Sequence, residues 1–239
     1  MVNLVYNFYA MNNKIVLENI KNNLIISCQA ACNEPLYEKS AMFALIDTLI
    51  LLGKSTSLRL AGKRDITYVK EKYPNVTVVG ITKPDIIPDN YKELVYITPD
   101  IEHVKIVVEA GADIIAFDGT VRNKNVEGII NHIHSFNKLA MADIADFDDA
   151  KYSYLKGADI LSTTLSGYTK STENLPDVPD FELLEKLVKT FNVPVILEGK
   201  IWNNKDVKHA FELGAHSVVI GSAVTRPHKI IEKFREGIL

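Results

Sequence analysis

The sequence predicts an α/β protein built as one closed (β/α)8 barrel of the TIM type, and three observations carry that expectation. The first is an internal repeat. Glu109-Ala110-Gly111-Ala112-Asp113-Ile114-Ile115 recurs as Leu155-Lys156-Gly157-Ala158-Asp159-Ile160-Leu161, and again as Glu212-Leu213-Gly214-Ala215-His216-Ser217-Val218-Val219. Each copy ends an amphipathic stretch and opens an apolar run, with a glycine free to take the left-handed conformation that closes a helix. The second is alternation: eight short, uniformly apolar runs, as strands covered on both faces require, are separated by helical patterns without a break. The third is size, since 239 residues match the length of a single barrel.

In chain order, buried strands are expected at Leu24–Cys28, Ser55–Leu60, Val76–Ile81, Asp113–Asp118, Leu139–Ile144, Asp159–Thr164, Val193–Glu198 and Ser217–Gly221. Helices are expected at Tyr37–Leu52, Asp65–Tyr73, Ile101–Ala110, Val126–Asn137, Asp146–Leu155, Phe181–Phe191, Asn204–Leu213 and His228–Phe234, where apolar residues recur at spacings of three and four. Asp180 and Asn203 or Asn204 stand where helix caps belong. Leu94–Thr98 reads as a ninth β-like run inserted in the third connection. Residues 1–23 form an N-terminal extension or first helix, and no linker divides 1–239 into further domains.

Composition narrows the function classes. Apolar residues make up 47% and charged residues 24%, with a net charge of -3 and the two signs interspersed. That balance gives no footprint for nucleic acid and no polybasic membrane anchor. The apolar stretch Ala41–Leu52 contains Asp47 and is too short to span a bilayer. Met1–Met11 lacks the basic start and apolar run of a leader peptide, so the expected location is cytoplasmic. Cys28 and Cys32 lie too close together for a scaffold disulfide, and Cys28 reads as a small buried hydrophobe.

In a barrel of this kind the C-terminal strand ends converge on the active site. Here they read Ser27-Cys28-Gln29, Arg59, Thr82-Lys83, Asp118-Gly119-Thr120, Asp143, Thr163-Thr164, Glu198-Gly199 and Gly221-Ser222. Arg59 and Lys83 therefore face Asp118, Asp143 and Glu198 around one mouth. Mixed charge in a partly desolvated funnel moves pKa values toward neutrality, where a lysine works as a base and a carboxyl passes a proton. Ion pairs closing the barrel rim would place the same residues there; five ionisable groups on five strand ends favour the site. After strands seven and eight, Gly199 and Lys200, then Gly221 and Ser222, with Arg226 following, suit a phosphate held by loop amides and a short helix. Glycine after a strand also marks a plain turn. His132 and His134 sit two apart on a helix and so on different faces, no metal cage is visible at the strand ends, and no nucleotide-binding glycine loop occurs. No metal and no cofactor are expected.

The strand-end motifs resemble a known family. Ile26-Ser27-Cys28-Gln29-Ala30 with Glu34-Pro35-Leu36, Val79-Gly80-Ile81-Thr82-Lys83, Tyr96-Ile97-Thr98-Pro99 and Met141-Ala142-Asp143-Ile144 are followed by Thr163-Thr164-Leu165-Ser166-Gly167-Tyr168-Thr169, Glu198-Gly199-Lys200-Ile201 and Gly221-Ser222-Ala223-Val224-Thr225-Arg226-Pro227. In this order they resemble the N-acetylmannosamine-6-phosphate 2-epimerase family. The resemblance implies a (β/α)8 barrel, commonly a homodimer, that interconverts N-acetylmannosamine 6-phosphate and N-acetylglucosamine 6-phosphate in sialic acid breakdown, without nucleotide or metal. It implies Lys83 as proton acceptor and donor at C2, with Glu198 and Asp143 beside the sugar. Gln29, Arg59 and Thr164 would bind substrate, and Arg226 with Gly199, Lys200, Gly221 and Ser222 would hold the phosphate. The Ser166–Thr169 loop is a candidate for the acetamido group.

Four stretches depart from the family pattern. Leu60-Ala61-Gly62 replaces an Ala-Asn after the arginine, and Gly53-Lys54-Ser55 replaces Gly-Gly-Ala. Lys200 stands where arginine is commoner, and Asp118–Asn125 lacks a second arginine and a proline. Lys83, Asp143 and Glu198 are untouched. The rival readings are another sugar-phosphate barrel, such as a hexulose-phosphate synthase or pentose-phosphate epimerase, and a sugar-phosphate sensor without turnover.

Overall fold

The computed structural model describes residues 12–238. Eight parallel strands close into a barrel in sequence order: β1 Asn23–Cys28, β2 Ser57–Ala61, β3 Thr77–Ile81, β4 Ile114–Asp118, β5 Leu139–Asp143, β6 Ile160–Ser162, β7 Val195–Glu198 and β8 Ser217–Ile220, with β8 pairing back to β1. A helix over 12–20, α1, precedes them. The helices that follow are α2 Lys39–Asp47, α3 Lys63–Lys72, α4 Ile101–Glu109, α5 Val126–Ser135, α6 Phe147–Leu155, α7 Phe181–Thr190, α8 Asn204–Glu212, the short α9 Ser222–Thr225, and α10 Pro227–Arg235. The predicted barrel and all eight strand positions are present.

The expected caps and stops operate. Asp180 accepts from Leu183 N–H and Asn203 from Asp206 N–H, each quieting an amide that the first turn leaves free. The repeat glycines Gly111, Gly157 and Gly214 have φ of 97°, 99° and 94°, a region costly for any residue with a Cβ. One recurring Gly-Ala pair thus ends α4, α6 and α8 and leads into β4, β6 and β8.

Three expectations are corrected. The long helix Tyr37–Leu52 is a 3-10 turn, Pro35–Tyr37, then α2, then a π-helical turn, Thr48–Leu52. β6 stops at Ser162 and passes into a 3-10 turn, Thr163–Leu165, because Thr163 turns its hydroxyl to the carbonyl of Glu198. Leu94–Thr98 is not a strand. It is an irregular segment whose Thr98 N–H donates to Thr82 O and whose Ile97 O accepts from Asp118 N–H, so it fastens to the ends of β3 and β4 and lines the mouth. Tyr96 and Ile97 pack against the barrel interior rather than a ladder partner. For the N-terminal extension, 12–20 is helical and residues 1–11 lie outside the described residues.

Side chains alternate along a strand, and this sorts the core into two parts. Outward residues such as Leu58, Leu60, Val78, Ile115, Phe117, Leu161, Leu197 and Val218 pack under the helices. Inward residues Ile25, Val79, Ile114, Leu139, Met141, Ile160, Ile196 and Val219 fill the interior, joined from below by Val16 and Ile20 of α1. α1 is held there by His216 Nε2, 3.0 Å from Leu17 O. No described helix is long and apolar enough to cross a membrane.

Candidate active site

The same alternation that fills the interior sets the chemistry above it. Counting by twos from Val79, Ile114, Met141, Ile160 and Ile196 reaches Lys83, Asp118, Asp143, Thr164 and Glu198. In β2, Arg59 shares register with Ser27 of β1 and Val79 of β3. Inward parity at the C-terminal strand ends therefore belongs to polar residues. Of these, Lys83, Thr164 and Glu198 line a cavity of about 340 Å³. Its walls include the predicted Gln29, Lys83, Thr164, Glu198, Gly199, Lys200, Gly221, Ser222 and Arg226. A second, more open hollow of about 410 Å³ lies at the other end among Val188, Phe191, Pro194, Phe211 and His216, and holds none of these residues.

Arg59 and Asp143 come to the same mouth, bonded to its lining residues Glu198 and Thr164. Both are buried, at 1% and 0% exposure, and neither lines the cavity. Arg59 grips Asp143 through two parallel bonds, 3.0 Å and 2.5 Å, and reaches Glu198 at 3.0 Å. Thr164 Oγ1 lies 2.7 Å from Asp143 Oδ1 and 3.0 Å from Glu198 Oε2. The guanidinium is thus a floor beneath the cavity that holds Glu198 in place; the fork geometry of arginine suits two carboxylates at once. Asp118 keeps its inward parity but does not join the mouth: its carboxylate accepts from the amide and hydroxyl of Thr120 and pairs with Arg122 at 3.2 Å.

Lys83 makes no hydrogen bond or ion pair among the described residues. Burial within the mouth, and next the Arg59 guanidinium, lower its pKa to about 8, while Glu198 and Asp143 pull it up. Solvent still reaches the side chain through the open end of the cavity, which moderates the burial contribution and leaves the charge of Arg59 as the steadier cause. Burial raises the pKa of Glu198, Arg59 opposes that rise, and the Asp143 charge adds to it. A base brought toward neutrality therefore faces a carboxyl brought toward neutrality from the other side.

The far wall is built from the turns after β7 and β8 and carries two cations, Lys200 and Arg226. Gly199 and Lys200 both have positive φ, 112° and 59°, which turns the chain sharply after β7. Gly221 precedes the single turn α9, and Thr225 of that turn donates to Ser27 O at 2.8 Å, joining the β8 loop to β1. Arg226 lines the cavity with its guanidinium 3.3 Å from Glu34. The Lys200 ammonium donates to Pro176 O at 2.8 Å, so its charge is committed at the rim. Gln29 donates to Ser27 Oγ at 2.9 Å beside it. Cys28 faces away from the mouth, buried against Met42, and burial pushes its thiol up to about 12.

The cavity also contains residues not singled out as ligands from sequence, namely Ser27, Tyr96, Asp177, Trp202 and Thr225, with Tyr168 of the Ser166–Thr169 loop. For Tyr168 and Trp202, placement shortly beyond the ends of β6 and β7 is the signal the sequence carries.

A family described as "Putative N-acetylmannosamine-6-phosphate epimerase" matches residues 44–239. The chain belongs to this family. A protein of Clostridioides difficile named "Putative N-acetylmannosamine-6-phosphate 2-epimerase" is 41% identical over 93% of this chain and 99% of its own length. One of the same name from Mycoplasma mycoides is 38% identical, over 93% and 99%. The solved structure of the N-acetylmannosamine-6-phosphate 2-epimerase from Clostridium perfringens superposes with a TM-score of 0.84 at 37% identity, covering 93% of this chain and 96% of that one. Deoxyribose phosphate aldolase from Aeropyrum pernix, at 17% identity and a TM-score of 0.60, shares the fold.

Proposed function

We propose that this member of the epimerase family interconverts N-acetylmannosamine 6-phosphate and N-acetylglucosamine 6-phosphate by moving the proton at C2. The observation that carries the reading is the pairing, in one cavity, of an unpartnered Lys83 with a pKa of about 8 and a Glu198 whose pKa is raised. Opening the sugar ring exposes an aldehyde at C1, which acidifies the C2 proton. The neutral amine of Lys83 removes it, leaving an enolate with its charge on the C1 oxygen. After the reacting carbon presents its other face, the ammonium returns a proton, and electrons and atoms balance with no redox step. Glu198 serves the hydroxyl protons of ring opening and closing. Arg59 and Asp143, which form the floor, act by positioning Glu198, and Arg59 also by keeping Lys83 partly neutral. Gln29 and Thr164 bind the sugar. Arg226 and the backbone near Gly199, Lys200, Gly221 and Ser222 hold the phosphate, whose binding energy orients C2 over the lysine.

The pathway reading, sialic acid and amino-sugar breakdown, follows from this reaction. We read the working form as a cytoplasmic homodimer; the exposed Ile231, Phe234 and Ile238 on and after α10 support a partner surface, and sedimentation checks it. The reaction is tested by proton NMR of the protein with N-acetylmannosamine 6-phosphate in deuterated water. Appearance of N-acetylglucosamine 6-phosphate carrying deuterium at C2 supports the proposal. Folded protein that neither converts the sugar nor exchanges that proton refutes it.

A further inference from the structure

Lys92 joins loops that follow three different strands. Its carbonyl accepts from the Arg122 guanidinium at 2.6 Å and from the Lys170 amide at 3.0 Å. Its ammonium lies 3.3 Å from Glu173, and the same carboxylate holds the Lys170 ammonium at 2.6 Å. Lys92 belongs to the connection after β3, Arg122 to that after β4, and Lys170 and Glu173 to that after β6. In the closed order of strands, β4 and β5 lie between β3 and β6. The clasp therefore reaches past the ends of β4 and β5, where Asp118 and Asp143 are fully buried.

Arg122 ties this clasp to the barrel. Its Nε donates to Thr120 Oγ1 at 3.1 Å, and its other nitrogen pairs with Asp118 at the end of β4. One planar group thus connects a strand end to the carbonyl on which the clasp closes, a geometry for which a point-charge ammonium is too short and too compact. The clasped loops carry two walls of the cavity: Tyr96 follows Lys92 in one, and Tyr168 precedes Lys170 in the other. Arg122 itself does not line the cavity.

We propose that Arg122 is a positioning residue, which by holding the Lys92 carbonyl fastens the β3 and β6 loops together and sets Tyr96 and Tyr168 around the bound sugar phosphate. The nature of the ligand rests on the epimerase reading; the clasp does not.

The experiment uses the full chain as wild type, Arg122→Ala, Arg122→Lys and Glu173→Gln. Amide exchange read by mass spectrometry should show the segments 88–98 and 166–175 exchanging about tenfold faster, and together, in both Arg122 variants, with barrel strands unchanged. Glu173→Gln should give a smaller effect in the same two segments. KM for N-acetylmannosamine 6-phosphate should rise about tenfold with kcat within about threefold. Inhibition by inorganic phosphate should stay at its wild-type strength, because the Arg226 wall is untouched. Arg122→Lys keeps a cation beside Asp118, so it should hold the wild-type melting temperature and still show the KM effect; this variant carries the test if Arg122→Ala does not fold. Unchanged exchange in the two loops, or a lowered melting temperature with KM unmoved, overturns the proposal. Absence of turnover by the wild type would sink the epimerase reading instead, and the exchange data would still decide the clasp.

Discussion

The two ends of the barrel interior use the same strands and the same inward parity, and follow opposite rules. At the N-terminal end Ile25, Ile114, Leu139 and Ile160 meet Val16 and Ile20 of α1, and stability comes from apolar area removed from water. At the C-terminal end the inward positions of β2, β5 and β7 hold Arg59, Asp143 and Glu198, kept in place by mutual pairing. Two residues along a strand are about 7 Å, so packing gives way to chemistry within a single step of the repeat. Substitutions at the two ends should accordingly separate activity from stability.

The largest expected effect lies at the chemical end. Lys83→Ala should lower turnover by about a thousandfold and abolish deuterium incorporation at C2, with an unchanged circular dichroism spectrum. Normal turnover in this variant would remove the lysine from the mechanism. Next comes Arg59→Ala, which leaves Asp143 and Glu198 without their buried counter-charge and should destabilise by about 3–5 kcal/mol, measured by urea unfolding. A loss within experimental error would show that the charged floor contributes little to holding the barrel together. At the apolar end, Ile20→Ala should cost about 2–4 kcal/mol of stability while kcat of the folded protein stays at its wild-type value. A fall in kcat there would couple the two ends and break the comparison.

The pH profile sharpens the contrast. Lys83 must be neutral to act, and a pKa of about 8 means roughly one molecule in ten is competent at pH 7. Activity should rise with pH through about 8 as Lys83 loses its proton. Because the lysine pKa is lowered on folding, its charge costs stability below about 8, and that cost is relieved as pH rises toward the ordinary lysine value. Arg59→Met should move the acid limb to higher pH, since the cation that depresses Lys83 is gone; an unmoved limb would leave burial as the sole cause. The smallest effect is expected from Thr164→Val, which removes one hydroxyl shared by Asp143 and Glu198 and should cost about 1 kcal/mol in kcat/KM.

The barrel is legible because its signals are local and repeated: a left-handed glycine after α4, α6 and α8, an apolar strand after each of those glycines, and a cap before α7 and α8. The mouth was legible in parity but not in depth. Alternation points Arg59, Lys83, Asp143 and Glu198 inward, yet nothing in the one-dimensional pattern says that Arg59 and Asp143 pair below the cavity while Lys83 stays free above it. Leu94–Thr98 has the look of a strand without being one, because an apolar run with Val95 and Ile97 carries a strand's composition whether it joins a ladder or fills the top of a barrel. Tyr168 and Trp202 reach the cavity from irregular loops, where side-chain direction follows from tertiary contacts that no period encodes.

The stopper formed by α1 has a consequence for traffic. With Ile20 fully buried against the lower interior and His216 fastened to Leu17, the cavity is a cul-de-sac, and a molecule must depart by the doorway through which it arrived. On the epimerase reading, two sugars that differ at one carbon share that doorway and one berth. Each must vacate before the other is admitted, so the product of either direction competes head-on with the starting sugar, and the ratio of the two in solution, rather than any valve in the protein, sets which way material flows.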